Sequence, residues 1–184
     1  MRRATIIAPM SPRRWNPRVT VAAVIERGGQ FLLIEEETAL GLKLNTPAGH
    51  LEPGETPAQG CAREVLEEAA WDFTPTAFLG VYLARSRKNS TGEDQTYLRM
   101  AFCGELGAHH PGRPLDDGIV RTVWMTADEV RNSRARHRSP LVLKCIEDYI
   151  AGVRLPLDAV HADPSVLSVP ATRTSGPAPA AAAR

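Results

Sequence analysis

Glu64, Glu67 and Glu68 are spaced i, i+3 and i+4. On a helix this puts three carboxylates on one face, with Cβ atoms about 5–6 Å apart. Like charges at that spacing oppose the helix by roughly 0.2–0.5 kcal/mol each. Two of the three also fall in the last turn, where the helix dipole favours cations. A merely solvated face gains nothing from this arrangement, whereas a divalent cation among the carboxylates reverses both penalties. Arg63 stands beside Glu64 and can reach back to Glu55. Its planar guanidinium could bridge the acids and hold the preceding loop against the helix.

The elements that must position these groups are legible on either side. Thr56 is suited to an N-cap with Pro57 at the first helical position, so the spacing predicts a helix from residue 57 to about residue 70. Pro47 and Gly54 punctuate the loop in front, and Gly49 permits a tight backbone or a freed carbonyl. Residues 19–25 (VTVAAVI) read as a buried strand, 27–30 (RGGQ) as a hairpin turn and 30–36 as the return strand. A long apolar strand follows the helix within 73–87, the polar stretch 88–95 turns it, and 97–106 is its partner. Residues 107–118 read as a loop containing His109 and His110, and 119–125 as a final strand. Thr126 or Asp128 caps a short helix. Ser139 as N-cap, Pro140 at N1 and Gly152 at the stop bracket another, whose apolar face is wide enough to pack on a sheet. Strands and helices in this order around one mixed sheet make an α/β layered architecture.

The chain of 184 residues suits one domain with tails, and 43% hydrophobic with 23% charged residues is ordinary for a soluble globular protein. A net charge of +1 gives no electrostatic pointer to nucleic acid or an anionic membrane. No segment is long enough to span a bilayer, and the apolar run at 6–8 is too short for a signal-peptide core. Cys61, Cys103 and Cys145 are widely spaced and odd in number, which fits buried apolar fillers in a reducing cytoplasm. The expected organisation is a flexible basic arm over 1–17, a folded domain over 18–157, and a disordered Pro/Ala-rich tail over 158–184. Met10 is an alternative start. Trp124, Tyr82 and Tyr97 are expected in the core, and the basic run Arg131, Arg134, Arg136, His137, Arg138 on a solvated face.

Gly49, Glu55 and the run Arg63-Glu64-Val65-Leu66-Glu67-Glu68-Ala69-Ala70-Trp71 carry a further implication. Their spacing resembles the Nudix box, the signature of the Nudix hydrolases, with one departure: Ala70 stands where the family usually has glycine. That position normally takes a left-handed conformation, where alanine costs on the order of 1 kcal/mol. Within the family, 19–22 (VTVA), 33–36 (LIEE), 47–52 (PAGHLE) and 138–142 (RSPLV) are similar to the NudJ phosphatase subgroup.

The resemblance implies an α/β/α sandwich and hydrolysis of a phosphoanhydride bond. It implies Mg²⁺ as cofactor, with Mn²⁺ able to substitute, held by Glu64, Glu67, Glu68 and the Gly49 carbonyl. Mg²⁺ demands hard oxygen ligands and keeps positions for phosphate and water. Arg63 and Glu55 then hold the acids in place. The general base is either a box glutamate or an acid outside it, with Glu105, Asp116 and Asp117 as candidates. His50 and Arg138 are candidates for contacting substrate. The expected partner is a small-molecule diphosphate: a nucleoside di- or triphosphate, or the diphosphate of the thiamine pyrimidine precursor. Neither nucleic acid nor membrane is expected as a partner, and the protein is expected to be a cytoplasmic monomer or homodimer. Two alternatives stand beside this reading: a non-catalytic Nudix-fold sensor of a nucleotide metabolite, and a pyrophosphohydrolase of the ADP-ribose or dinucleotide class. Loops 38–43, 87–95 and 107–118 are expected to shape the pocket.

Overall fold

In the computed structural model the described residues are 15–87 and 94–168. Two four-stranded sheets form the frame. The first runs β5 (Ala48–His50), β1 (Arg18–Val24), β7 (Asp94–His109), β6 (Trp71–Arg87). It is mixed, because β1 lies parallel to β7 while the other pairs are antiparallel. The second is antiparallel. Its central strand β3 (Gln30–Thr38) pairs with β2 (Glu26–Arg27) and β4 (Gly41–Asn45), and also with β8 (Ile119–Thr126). The expected α/β class with a mixed sheet is therefore present, but the strands divide between two sheets rather than forming one.

The helices cover both faces. Helix α1 (Pro57–Ala69) packs on β6 and β1, and α3 (Leu141–Ile150) packs on β6 and β1 from the other side, next to α2 (Ala127–Asn132). The alternation of strand side chains separates two cores. Val21 and Ala23 of β1, with Ile25 just past its end, join Cys61, Val65 and Ala69 of α1 around Phe78 and Phe102. Val24 joins Val142, Cys145 and Ile146 of α3 around Leu33, Leu79 and Cys103. A strand that must be apolar on both faces reads as a continuous β-branched run, which is why β1 has no polar alternation. All three cysteines are buried and free, as the filler reading anticipated.

Local chemistry accounts for the element ends. Gly28 and Gly29 both have positive φ, at 61° and 81°, as a tight hairpin turn of matching twist requires. Thr56 caps α1 in a reciprocal box with Gln59, and Thr126 caps α2 in the same way with Glu129. Helix α3 starts one residue later than expected, with Pro140 as N-cap and no side-chain cap; the Ser139 hydroxyl, one residue before it, still accepts from Leu141 N–H at 3.2 Å. At the other end of that helix Val153 N–H reaches Asp148 O and Gly152 N–H reaches Tyr149 O, which closes the C-terminal turn.

Three expectations change. Residues 107–109 belong to β7 instead of a loop: His109 pairs with Trp71 and stacks on its ring at 4.3 Å. The neighbouring His110 contacts Asp72 at 2.9 Å. Residues 158–168, assigned by composition to the tail, take part in the 3-10 turn Leu157–Ala159 and hold the turn Pro164–Leu167, and Val160 packs against the α1 core. Part of the basic run is committed to ion pairs, Arg131 with Glu147 and Asp128, and Arg136 with Glu35. Residues 1–14, most of the turn at 88–95, and 169–184 lie outside the described residues, so the expected arm, most of that loop and most of the tail do too. Among the described residues no helix is long and apolar enough to cross a membrane.

Ala70 ends α1 at φ 57° and ψ 33°, the only non-glycine residue with positive φ among those described. The left-handed conformation costs an L-residue roughly 1–2 kcal/mol, offset here by a methyl that is only 3% exposed and worth about 0.8 kcal/mol when buried. Ala70→Gly is therefore expected to raise the melting temperature by a degree or two. Ala70→Val, whose branch worsens the strain, should lower it by several degrees; thermal unfolding of the pair measures this.

Candidate active site

Helix α1 carries the acids, and the loop from β4 to α1 is folded back across them. Strand β5 holds that loop by pairing with β1, Val21 opposite Gly49. The contact between loop and helix is closer than a side chain would permit. A Cβ on Gly49 would lie 2.1 Å from Glu64 Oε1 and 2.2 Å from its Cδ. Gly49 is thus glycine because the Glu64 carboxylate occupies the space, not because of its backbone torsions. Gly60 is similar, since its Cβ would sit 2.5 Å from Glu55 Oε1.

Arg63 is the hub of the cluster. Its Nε and Nη2 donate to the two oxygens of Glu55 at 2.9 and 2.8 Å, a bidentate pair. Nη1 donates to both Glu64 Oε1 and Glu67 Oε2 at 2.8 Å, and Nη2 also reaches the His50 carbonyl at 3.0 Å. Of these five charge-assisted hydrogen bonds, three tie the preceding loop and β5 to the helix and two stay within α1. Glu68 turns the other way and accepts from Ala48 N–H at 2.7 Å.

The carboxylates are crowded and poorly hydrated. Glu64 is 6% and Glu68 8% exposed. Burial pushes the Glu68 carboxyl up to about 8; the Ala48 amide opposes this, and the charges of Glu64, Glu36 and Asp116 add to it. Glu64 is likewise raised by burial, against Arg63, with Glu67 and Asp116 adding. Glu55 is lowered by its bonds to Arg63.

For Glu68 the unfolded chain loses its proton near 4.5, while the folded one holds it until about 8. Stability from this group is complete below pH 4.5 and is lost as pH rises to 8. The melting temperature of protein in EDTA is expected to fall across pH 5 to 8. Millimolar Mg²⁺ should recover most of the loss at pH 8, where the acids are ionised. A flat profile with no response to the ion would contradict the site reading.

The donor types fit a hard divalent cation: buried carboxylates that repel one another, pressed against a backbone with no side chain. Among the described residues no three acidic, histidine or cysteine side chains yet converge as a ligand shell. The physical reason is Arg63, whose Nη1 takes up oxygens of Glu64 and Glu67, while Glu68 leans on the Ala48 amide. Coordination would require Glu64 and Glu67 to share those oxygens or present the free ones.

Of the acids considered outside the box, Asp116 is the one whose charge bears on Glu64 and Glu68, and its amide donates to the Glu67 carbonyl at 3.1 Å. Asp117 is exposed beside it. Glu105 is exposed on β7 opposite Thr74.

A cavity of about 330 Å³ opens beside Gly49. His50 and Arg138, the two candidates for substrate contact, both line it. So do Glu36, Asn45, Tyr97 and Arg99, which the sequence reading did not single out for this purpose. Tyr97 was placed in the core but stands on this wall, its ring 6.4 Å from that of His50. The one signal available was the pair Glu35-Glu36 ending an apolar strand, since acids there need partners: Glu35 takes Arg121 and Arg136, and Glu36 has Arg138 at 3.3 Å. Trp124 packs against the α1 core with the Arg27 guanidinium over its ring.

Comparison with known proteins bears on this arrangement. A family model described as the NUDIX domain matches residues 16–144. The chain is 35% identical to Phosphatase NudJ of Escherichia coli strain K12 over 146 residues, covering 79% of this chain and 92% of that protein. A solved NUDIX hydrolase from Nitrosomonas europaea is 50% identical, with a TM-score of 0.73 over 80% of this chain and 98% of that one. A MutT NUDIX hydrolase from Burkholderia pseudomallei shares the fold at 18% identity, with a TM-score of 0.59 over 73% of this chain and 98% of that one.

Proposed function

This chain belongs to the Nudix hydrolase family, and from that premise we propose that it cleaves the phosphoanhydride bond of a nucleoside di- or triphosphate or a related organic diphosphate, with Mg²⁺ as cofactor. The observation that carries the reading is the buried carboxylate cluster closed against Gly49 and held by Arg63. The phosphatase name of the NudJ relative supports a hydrolase that releases phosphate; the thiamine pyrimidine precursor diphosphate, which the resemblance implied, enters the test as one compound of the panel.

Glu64, Glu67, Glu68 and the Gly49 carbonyl are the groups that would hold the cation. Mg²⁺ bound there, or Mn²⁺ in its place, supplies charge neutralisation at phosphate oxygens and a more acidic water. Everything else is done by the chain itself. Arg63 fixes Glu64 and Glu67 in one orientation and anchors the loop through Glu55, so little reorganisation is needed when substrate arrives. The Ala48 amide sets the rotamer of Glu68. The proton leaving the attacking water passes to a carboxylate of this cluster or to Asp116, which the loop after β7 brings alongside. His50 and Arg138 flank the entrance and meet the substrate.

The test is a panel of diphosphates and triphosphates with and without Mg²⁺, read separately for orthophosphate and pyrophosphate. Metal-dependent release is expected. Absence of turnover across the panel with either Mg²⁺ or Mn²⁺ would overturn the proposal.

A further inference from the structure

Glu35 is a carboxylate where β3 would be expected to carry an apolar residue. By the alternation of the strand it faces the side of Phe31 and Leu33, both of which belong to the α3 core, and it is only 4% exposed. A charge so placed has to be paired and hydrogen-bonded, and both of its oxygens are. Arg121 Nε donates to Oε2 at 2.8 Å from the residue directly opposite on β8, a favourable cross-strand pair. Arg136 Nη2 donates to Oε1, and it comes from outside the sheet.

Arg136 belongs to the segment between α2 and α3. Residues 134–136 form a single 3-10 turn, whose own bonding holds little in place. The second sheet holds the segment instead. Leu44, which β4 sets opposite Glu35, forms a parallel bridge with His137, and its carbonyl accepts from Arg138 N–H at 2.8 Å. Lys43 Nζ donates to the Ala135 carbonyl at 3.0 Å. The attachment to Glu35 differs from these in kind. Undocking the segment would leave a buried carboxylate half-paired, which costs far more than releasing a lysine to water. Glu36 does not do the same for Arg138. The two approach to 3.3 Å, yet Glu36 Oε1 is buried without a hydrogen-bond partner among the described residues. The place of the Arg138 guanidinium therefore depends on how the backbone beneath it is docked.

This segment leads straight into the site, because Arg138, Ser139 and Pro140 line the cavity beside Gly49. We propose that Glu35 is a positioning residue for the hydrolysis: through Arg136 it docks residues 136–140 on β4 and sets where that wall meets the substrate. The proposal rests on the hydrolase reading above and deepens it. The acid cluster is held separately, by Arg63 and the Ala48 amide. Glu35 therefore bears on how the substrate is bound and leaves the bond-breaking step to the cluster. Arg121 supplies an internal control, since it pairs with the same carboxylate but lies off the segment.

Hydrogen exchange at the Arg138 amide in metal-free protein tests the docking, and steady-state kinetics with Mg²⁺ on the best substrate of the panel tests its consequence. Arg136→Gln is expected to speed that exchange about tenfold or more. It should raise KM by a similar factor and leave kcat little changed, the mark of lost substrate binding. Arg136→Lys should recover part of the loss, and Glu35→Gln should reproduce it. Arg121→Gln should lower the melting temperature as well, but keep exchange and KM near wild type. Unchanged exchange and KM in Arg136→Gln overturn the proposal, as do equal changes in the Arg121 variant, which a merely structural ion pair would give. Both arginines are at least half exposed, so their variants report even if Glu35→Gln fails to fold. Faster exchange in Arg136→Gln, in a protein that turns over nothing in the panel, would sink the hydrolase reading while the docking role of Glu35 stands.

Discussion

Glu68→Gln is expected to lower metal-dependent hydrolysis by roughly 10²–10³-fold, the scale for removing one preorganised electrostatic group. The folded protein should be as stable as wild type or more so. The two effects have one cause. The carboxylate is nearly buried and pushed up to about 8, with Glu64, Glu36 and Asp116 adding their charges to the burial. A neutral amide keeps the bond from Ala48 N–H and ends that repulsion, so metal-free protein at pH 8 gains melting temperature. What is lost is the anionic oxygen for the cation. Glu67→Gln should show the activity loss with less gain in stability, because Glu67 is partly exposed and keeps Arg63 as its partner. Both variants hydrolysing at wild-type rates would show that these acids do not carry the reaction. A drop in stability for Glu68→Gln would show that its charge supports the fold.

Gly49→Ala carries the second large expected effect. The added methyl would meet Glu64 Oε1 at 2.1 Å, Cδ at 2.2 Å and Oε2 at 2.2 Å, where no side chain can remain. Either Glu64 swings away from the Arg63 bond, or β5 moves off Val21. Overpacking of this kind costs about 1–3 kcal/mol, and activity should fall at least about tenfold whichever element yields. A double-mutant cycle separates the causes. Combining Gly49→Ala with Glu64→Ala should return most of the melting temperature, since the methyl then has room, while hydrolysis stays lost. If Gly49→Ala were fully active and stable, the close approach of loop and helix would be irrelevant to function.

The two variants probe parts of the site that were legible to different degrees. Glu64, Glu67, Glu68, Arg63 and Glu55 were found from spacing because a helix converts sequence separation directly into neighbourhood. Arg63 contacts Glu55, Glu64 and Glu67, as its position and shape suggested, whereas Glu68 faces the Ala48 amide. Ala70 in the left-handed region was similarly foreseeable, because a helix terminus is a local event. The reason for glycine at position 49 was only half visible. A tight backbone was expected, but not that a carboxylate from another element fills the missing side chain's place.

Local spacing along the chain determined the acid-bearing helix, its caps, the hairpins and the family. Each of these is governed by residues within a turn or two of one another. Tertiary structure alone decided that Asp116 and not Glu105 lies by the acids. It alone decided that β strands divide into two sheets, and that Glu36, Asn45, Arg99 and Arg138 meet around one cavity. Those four come from β3, β4, β7 and the segment before α3. Their juxtaposition depends on strand pairing between distant parts of the chain, and no periodicity in a single segment records it.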